Sequence, residues 1–468
     1  MKIQLPTLSI LEAYKVSKIV LESTPESWLE FSAGQNTKTN LARFKSNKYL
    51  SFGKQLLGYL YFLLKSVCFT HTLVHQRDVL FFASTYNQFS VLSDIYMEKA
   101  DFSSIFFLPN IVRSRFDAKE VDPCYLKINI KYLLPMFILL GSRFFRLIST
   151  LRAIDKRLVF LRLKSFLLIY YWLVAHQVSL KSARPKIVML SNDHSPETRT
   201  MIELCKYFDI KTAYVPHAAV SERFHSLDFN YSFLDGQHAL DIYRKCDMRR
   251  GPNSNVIDKR AYFLVGNLRK LNIVSRQSKP LQQFGLAIKG TDKIEDIIQT
   301  ITKLSALYPV IVRPHPNLKI SKYYKIIDEK FPNNVELSDP KLLPVSEFLN
   351  AITTLISGNS TLLLEAASLG IHPVYLNELS GGVPDYYGFV KRKIAIYFEN
   401  INDFIDFYVE QDFEHEFCPD RDGMNYYWSS YGQPYFKQEA KIISDYLSQI
   451  VNNSRKLESR HQITSDVM

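Results

Sequence analysis

The sequence predicts an α/β fold made of two facing Rossmann-type domains with parallel sheets. Apolar runs that end in polar residues alternate with helical stretches in two separate blocks of the chain. The polar segment 248–260 separates the blocks, and 468 residues are too many for one ordinary hydrophobic core. Because strands that alternate with helices form parallel sheets covered on both faces, each block predicts one domain.

The first block predicts an N-terminal domain over residues 1–250, on the acceptor side of a two-domain enzyme. Segment 79–100 fits a buried strand, a polar turn and a helix, and segment 103–110 fits a second strand. Beyond residue 185 the alternation is clearer. It gives an apolar run in KIVMLSNDHS, a helix in ETRTMIELCKYFDI, a strand in KTAYVPHAAV, and a strand followed by a helix in NYSFLDGQHALDIYRK.

The second block predicts a nucleotide-donor-binding domain over residues 260–435. It begins with AYFLVGN at 261–267 and continues through 284–318, where Thr291 or Asp292 can cap a helix placed between two strands. Residues 436–468 predict a C-terminal helix and tail, with the helix returning toward the first domain. A nucleotide-activated donor is expected in a cleft between the two domains.

Cysteine usage and the N-terminus favour a cytoplasmic protein. The five cysteines include no CxxC pair, which argues against a disulfide framework or a structural zinc site. The first 18 residues mix charges with apolar residues and carry no small-residue cleavage site, so they predict no secretory signal.

The net charge of +12 is concentrated in the N-terminal part of the chain. Residues 1–180 contain 23 Lys and Arg against 12 Asp and Glu, which accounts for +11. The uncharged stretch between Lys164 and Lys181 is 16 residues long and includes His176 and Gln177, so it is too short for the ~20 apolar residues that cross a bilayer. A basic surface with aromatic residues fits peripheral contact with an inner-leaflet membrane surface, and core helices with basic edges give the same pattern. No nucleic-acid-binding motif is present, so nucleic acid is not an expected partner.

Polar residues that directly follow predicted strands are the candidate site residues, because ligands of open parallel sheets bind beyond the carboxyl ends of the strands. On the acceptor side they are Asn192, Asp193, His194, His217 and Asp235. On the donor side they are Gly266, Asn267, Arg313, His315, Pro316, Ser357, Asn359, Ser360, Thr361 and Glu365.

The donor-side segment SGNSTLLLEAASLG at 357–370 has the chemistry of a phosphate site. Small polar residues lead into a helix, whose N-terminus favours an anion. An ordinary helix cap gives the same pattern. In VIVRPHPN, two prolines flank His315 and restrict its backbone next to Arg313, which suits a donor phosphate, although the prolines also simply end a strand.

His217 and Asp235 are the candidate general bases, since an acceptor hydroxyl must lose its proton as it attacks and both side chains can accept one. Each also has a structural interpretation. His217 fits an ordinary histidine at a strand end, and Asp235 fits the Asp-Gly pair of a turn.

In combination and order, the motifs SNDHSP, PHAAVSERF, FNYSFLDGQHAL, VGN, RPHPN and ISGNSTLLLEAASLGIHPV resemble the GT-B-type bacterial transferases of surface polysaccharide synthesis. The sialyltransferase and polysialyltransferase-like enzymes, with their acidic-Gly, HP and Ser/Thr-rich motifs, are the most similar. The resemblance covers about residues 185–400 and implies a GT-B-like fold. It also implies that Asp235 is the base, that His315 contacts the donor phosphate, and that Ser360 and Thr361 bind the phosphate or the nucleotide.

The match to the acidic-Gly motif is incomplete, because Leu234 stands where a second acidic residue is usual. The CDP-glycerol glycerophosphotransferases are a related family with a His-Gly and an HP motif, and here Ala218 follows His217. On that resemblance His217 is the base. Both families use CMP- or CDP-linked donors, which implies a cytidine nucleotide.

These observations predict a glycosyltransferase that moves a sugar, such as sialic acid or a Kdo-like sugar from a CMP donor, to a growing capsule, O-antigen or other surface glycan. A glycan or lipid-linked acceptor is the expected partner. No cofactor and no metal are expected, because no acidic pair of DxD type is placed to hold a divalent ion and the cationic residues can meet the phosphate charge. The alternatives are a polyol-phosphate transferase on the same fold, a non-catalytic nucleotide-binding protein and, less favoured, a nucleotide-sugar epimerase.

Overall fold

The computed structural model describes residues 52–68, 75–98, 101–113, 121–134, 136–138, 140–141, 149, 163–220, 222, 224, 226–248, 260–268, 282–316, 318, 320–331, 334–410 and 418–465. The chain divides into two compact units. Unit 1 comprises Met1–Arg269 and Lys437–Met468, and unit 2 comprises Lys270–Phe436. Most of the polar segment 248–260, which was predicted to separate the two blocks, lies outside the described residues.

Unit 1 is built on a seven-stranded sheet in which every neighbouring pair is parallel. The strand order is β4-β3-β2-β6-β7-β8-β9. Strands β1 and β5 form a separate parallel pair. The strands are β1 Val67–Cys68, β2 Val79–Phe82, β3 Ser104–Pro109, β4 Cys124–Leu126, β5 Ile128–Asn129, β6 Ile187–Leu190, β7 Lys211–Tyr214, β8 Tyr231–Leu234 and β9 Ala261–Leu264.

Helices cover both faces of this sheet. They are α1 Phe52–Ser66, α2 Tyr86–Met97, α3 Leu163–Ala183, α4 Pro196–Tyr207 and α5 Gln237–Met248, with a C-terminal helix at Glu439–Ser465. Alternate residues of β2 belong to different core clusters, because side chains of a strand alternate between faces. Leu80 and Phe82 pack with α1, α3, α4 and α5, whereas Val79 and Phe81 pack with α2 and the C-terminal helix.

Unit 2 contains a six-stranded parallel sheet in the order β12-β11-β10-β13-β14-β15. Its strands are β10 Phe284–Ile288, β11 Val310–Pro314, β12 Val335–Leu337, β13 Thr354–Ser357, β14 His372–Leu376 and β15 Ile396–Phe398. Its helices are α6 Ile294–Ser305, α7 Ile320–Lys330, α8 Val345–Asn350, α9 Leu362–Ser368, α10 Ile401–Glu410 and α11 Arg421–Tyr427, so the C-terminal helix of unit 1 is α12. Two core clusters lie on the two faces of the sheet. The predicted fold class, α/β with parallel sheets in two Rossmann-type bodies, is confirmed.

The uncharged stretch between Lys164 and Lys181 forms most of α3, a core helix. Fifteen of its 21 residues are buried, including His176 and Gln177. Within the described residues, no helix is both long and apolar enough to cross a membrane. At the C-terminus, Ile443, Leu447 and Val451 of α12 are buried in the cluster that contains α2.

Two local predictions were wrong. Segment 261–267 does not begin the second sheet, since β9 pairs in parallel with β8 at the edge of the unit 1 sheet. A short apolar strand looks the same in either sheet, and only pairing with residues far along the chain decides which sheet it joins. Neither Thr291 nor Asp292 caps α6. Lys293 is the cap residue, and the Asp292 carboxylate accepts a hydrogen bond from the Lys289 backbone N–H at 2.7 Å.

Candidate functional site

Four neighbouring strands of unit 1, β6 to β9, end at the same edge of the sheet because they run parallel. Each is followed by predicted site residues. Asn192, Asp193 and His194 follow β6, His217 follows β7, and Asp235 follows β8. The acceptor-side candidates and both candidate bases are therefore brought to one edge of one sheet.

The residues after β6 organise the start of α4. The Asn192 side-chain oxygen accepts hydrogen bonds from the backbone N–H groups of His194 and Ser195, at 2.9 and 3.3 Å. These contacts form a turn that leads into α4, whose cap residue is Ser195. The buried Asp193 carboxylate lies 2.9 Å from His194 Nδ1, and the His194 ring is tilted against Phe224. Asn192 thus has a structural role, and Asp193 orients His194.

His217 is half-buried, and its ring is held by the backbone of the neighbouring strand end. Its Nδ1 is hydrogen-bonded to the Ser191 carbonyl, directly after β6. A carbonyl can only accept, so Nδ1 carries a proton. In the neutral ring Nε2 is then the nitrogen that can accept a proton, which is the arrangement of a general base.

Asp235 is half-buried and directly follows β8, and like Asp193 it lies close enough to Tyr214 to affect its pKa. Both carboxylates act on Tyr214, whose hydroxyl is fully buried and lies 2.9 Å from the Tyr243 hydroxyl. Burial is the main reason that the pKa of Tyr214 lies well above its usual value, and the charges of Asp193 and Asp235 raise it further. Tyr214 therefore stays a neutral phenol beneath this edge.

Gly266 and Asn267 follow β9 and therefore belong to the edge of unit 1. Their predicted place in the C-terminal domain is wrong, because β9 pairs with β8 in the sheet of unit 1. Gly266 has a φ of 103°, in the region that favours glycine, so the chain turns sharply after the strand.

In unit 2, the carboxyl ends of β10, β11 and β13 lie side by side. His315 follows β11, and its backbone N–H donates to the Ile288 carbonyl at the end of β10, at 2.8 Å. The rings of His315 and Pro316 are exposed. Neighbouring atoms displace enough water from His315 to lower the pKa of its imidazole below the ordinary value, which favours the neutral ring.

Arg313 is buried and is engaged by the protein itself. Its guanidinium donates to Ser338 Oγ at 2.7 Å and to the Leu343 carbonyl at 2.9 Å, and it lies over the Phe348 ring. Desolvation lowers the pKa of Arg313, and the charges of Asp339 and the buried Glu365 oppose that shift. The contacts with Ser338, Leu343 and Phe348 give Arg313 a structural role at the edge.

The loop after β13 is fixed by close backbone packing. Ser357 is buried and donates from Oγ to the Ala287 carbonyl of β10, at 2.7 Å. A Cβ at Gly358 would overlap the Leu379 carbonyl, so only glycine fits there.

The Asn359 amide makes four hydrogen bonds to the segment 375–386, with Ser380, Val383, Tyr375 and Tyr386. Its side chain therefore ties two loops together. Ser360 and Thr361 come next, and both are half-buried. The Ser360 Oγ accepts from the Leu362 N–H at 3.3 Å, and Thr361 is the cap residue of α9, which is seven residues long.

Sequence reasoning missed Lys289, which directly follows the central strand β10. Its ammonium donates to the Asn359 carbonyl at 3.1 Å, so it reaches from β10 to the loop after β13. Burial lowers the pKa of Lys289, an effect that the nearby Asp292 opposes. The signal was present, since a lysine directly after the buried run FGLAI is a polar residue at a strand end.

A second missed pair lies in unit 1. Ser84 follows β2 and donates from Oγ to the Glu197 carboxylate in the first turn of α4, at 2.7 Å. This places another hydroxyl and another carboxylate at the edge that carries Asp193. Among the described residues of both units, no group of three or more His, Cys, Asp or Glu side chains is placed to hold a metal ion.

No protein-family model matches the chain, and no curated protein is significantly similar to it in sequence. Among solved structures, the chain is similar to UDP-GlcNAc 2-epimerase from Neisseria meningitidis bound to UDP-GlcNAc, with a TM-score of 0.50, 13% identity, and coverage of 80% of this chain and 100% of that one.

The UDP co-structure of MnaA from S. aureus gives a TM-score of 0.50, 14% identity, and coverage of 81% and 97%. The wall teichoic acid polymerase TagF gives a TM-score of 0.45 and 10% identity, with coverage of 81% of this chain and 89% of that one. The first two similarities support the fold class, two α/β bodies with parallel sheets as in GT-B-type enzymes.

Proposed function

We propose that this protein is a nucleotide-sugar-dependent glycosyltransferase that extends a surface glycan. The observation that carries the proposal is the chemistry of the two sheet edges. Side chains that can accept a proton collect at the carboxyl edge of unit 1, and cationic and hydroxyl groups collect at the carboxyl edge of unit 2. Transfer from a nucleotide donor needs both sets. Two solved structures of this fold are described with UDP-GlcNAc or UDP bound, which supports a nucleotide ligand.

Unit 2 is the proposed donor side. Lys289, His315, Ser360 and Thr361 are the residues we assign to the donor phosphate, because they lie at one edge and an ammonium, an imidazole N–H and two hydroxyl groups can each donate to an anion. A cytidine nucleotide remains the proposed leaving group. These residues would meet the phosphate charge without a metal ion or a cofactor.

Unit 1 is the proposed acceptor side and supplies the base. In the proposed reaction, the acceptor hydroxyl transfers its proton to the base as its oxygen attacks the anomeric carbon, and the bond to the nucleotide phosphate breaks. The Ser191 contact sets the His217 tautomer, which supports His217 as the base over Asp235. We assign the orientation of the acceptor to Asp193 and His194.

The contact of His217 with the Ser191 carbonyl also supports one alternative, a polyol-phosphate transferase. There the base and the donor site keep their roles, and the acceptor oxygen attacks phosphorus instead of the anomeric carbon. The resemblance to the glycerophosphotransferases assigns the base to His217, so the two mechanisms differ in the donor that is consumed and share the base.

A thermal-shift screen of the full chain against CMP, CDP, UDP, GDP and ADP tests the nucleotide, because a ligand that binds only the native state raises its melting temperature. We expect the largest shift with a cytidine nucleotide. Donor turnover is then measured with and without a glycan acceptor, using a CMP-sugar and CDP-glycerol in parallel.

Acceptor-dependent use of the CMP-sugar supports the proposal, and acceptor-dependent use of CDP-glycerol supports the alternative. Isomerisation of a nucleotide sugar without an acceptor supports an epimerase. Binding without turnover under all of these conditions supports a non-catalytic nucleotide-binding protein.

A further inference from the structure

Helix α1 presents a row of large apolar side chains to solvent. Leu57 is 67% exposed, Tyr61 56% and Leu64 80%, with Leu56 and Leu60 also exposed beside them. Their spacing of three, four or seven residues places them on one face of the helix. A contiguous apolar face of this kind marks an interaction surface rather than scattered exposed leucines. We call Leu56, Leu57, Leu60, Tyr61 and Leu64 the α1 apolar face.

The opposite side of α1 is anchored in the core of unit 1. Tyr59, Phe62 and Leu63 are buried in the same cluster as α3. The Phe62 ring packs edge-on against Tyr171 and Trp172 of α3, with centroid distances of 4.9 and 5.7 Å. The core side of the helix is therefore already filled, and the α1 apolar face is not buried against the part of unit 1 that the structure describes.

A second segment repeats this arrangement. Leu134, Phe137 and Ile138 are exposed, whereas Tyr132 and Met136 are buried in the cluster that also holds the inner side of α1. The parallel pair of β1 and β5 ties the two segments together, since β1 directly follows α1 and β5 directly precedes residue 130.

Charges around the α1 apolar face are basic. Helix α1 contains no acidic residue, and the exposed Lys54 and Lys65 flank the apolar row toward its two ends. The side chain of Lys164, from α3, lies against Gly58 of α1. Residues 1–180 carry +11 of the net charge of +12. A surface that combines inserted leucines with flanking lysines is complementary to anionic lipid headgroups.

We propose that α1 lies in the headgroup region of an anionic bilayer, with the α1 apolar face inserted and Lys54 and Lys65 on the headgroups. The 15 residues of α1 span about 22 Å at 1.5 Å per residue, short of the ~30 Å hydrocarbon core, so the helix lies in the plane of the interface. This proposal does not rest on the donor or the reaction.

Co-sedimentation of the full chain with vesicles tests the proposal, using phosphatidylcholine alone and a mixture containing about 30% phosphatidylglycerol, a fraction chosen to give a clearly negative surface. We expect binding to the anionic vesicles that weakens in high salt. The Leu57→Gln/Leu64→Gln variant should bind these vesicles ~10-fold more weakly, because two inserted leucines are lost. The matched control is Leu342→Gln/Val409→Gln, which changes side chains of unit 2 that are 77% and 67% exposed.

The Lys54→Gln/Lys65→Gln variant measures how much the two lysines contribute to binding of the anionic vesicles. It should lose part of its affinity for the anionic vesicles and keep its circular dichroism spectrum. Equal binding to both vesicle types, or binding that neither variant weakens, overturns the proposal. A change of oligomeric state in the Leu57→Gln/Leu64→Gln variant, with vesicle binding unchanged, overturns it as well and assigns the α1 apolar face to a second copy of the chain.

Discussion

At the carboxyl edge of the unit 1 sheet, the side chains that follow the strands are mainly proton acceptors, whereas the same edge of unit 2 carries a lysine, a histidine and hydroxyl groups. In unit 1, Asp193 holds His194 and the Ser191 carbonyl holds His217. In unit 2, the Lys289 ammonium spans from β10 to the loop after β13. Both edges are the carboxyl ends of parallel strands, so the difference lies in the side chains and not in the fold.

This difference predicts a division of effects. A substitution at the unit 1 edge should lower the rate of turnover and leave nucleotide binding intact, because the proposed base acts only when the acceptor reacts. A substitution at the unit 2 edge should weaken nucleotide binding. The predictions for His217 and Lys289 can break or sharpen that division, and the prediction for His176 concerns the stability of the fold beneath the unit 1 edge.

The largest expected effect is on turnover in His217→Ala. Loss of a positioned general base typically lowers the rate by roughly 10²–10⁴-fold, and we expect a fall of kcat in that range. Asp235→Asn should lower kcat less, because the contact of His217 Nδ1 with the Ser191 carbonyl assigns the base to His217. Steady-state kinetics with the donor identified by the nucleotide screen measures both variants.

The matched control for His217→Ala is His75→Ala, an exposed histidine before β2 that should leave kcat unchanged. Nucleotide binding should persist in all three variants. A loss of turnover in Asp235→Asn with near-full activity in His217→Ala would reverse the assignment of the base. Activity in both variants would remove the proposed mechanism.

The second prediction concerns a histidine beneath the unit 1 edge. His176 is fully buried in α3, donates from Nε2 to the Glu197 carbonyl at 3.1 Å and stacks on Trp172. Burial lowers the pKa of His176 from 6.5 to about 3. Between these values the unfolded chain binds the proton and the folded chain does not, so the free energy of unfolding falls as the pH falls.

The contribution of His176 to this loss is about 1.4 kcal/mol per pH unit, or roughly 2 kcal/mol by pH 5. Urea unfolding of the wild type and His176→Gln from pH 7 to pH 5 measures it. The variant should have the shallower pH dependence, and His75→Gln should match the wild type. Parallel pH profiles for wild type and His176→Gln would mean that His176 is not held neutral.

The third and smallest effect is expected for Lys289→Ala. A hydrogen bond from a charged group contributes about 1.5–3 kcal/mol, so removal of this ammonium should raise the Kd of the preferred nucleotide by ~10-fold or more. Isothermal titration calorimetry measures the Kd, and Lys330→Ala, which changes an exposed lysine at the end of α7, is the control. If kcat falls and the Kd stays unchanged, Lys289 acts in turnover and the division between the edges fails.

The sequence by itself determined where strands end and which polar residues follow them. Alternation of apolar runs with helical stretches is a local property with a fixed period, so the two parallel sheets and the positions of His217, Asp235 and His315 followed from the chain alone. Lys289 could have been found by the same rule.

Only the tertiary structure decided which of the predicted site residues are engaged by the protein itself. Arg313 reaches Ser338 and Leu343, and Asn359 reaches the segment 375–386, so their polar groups are engaged by residues that no local pattern pairs with them. The sheet that β9 joins and the outward direction of the α1 apolar face were decided in the same way. The physical reason is that hydrogen-bond partners and burial depend on contacts between distant parts of the chain, whereas strand and helix periods do not.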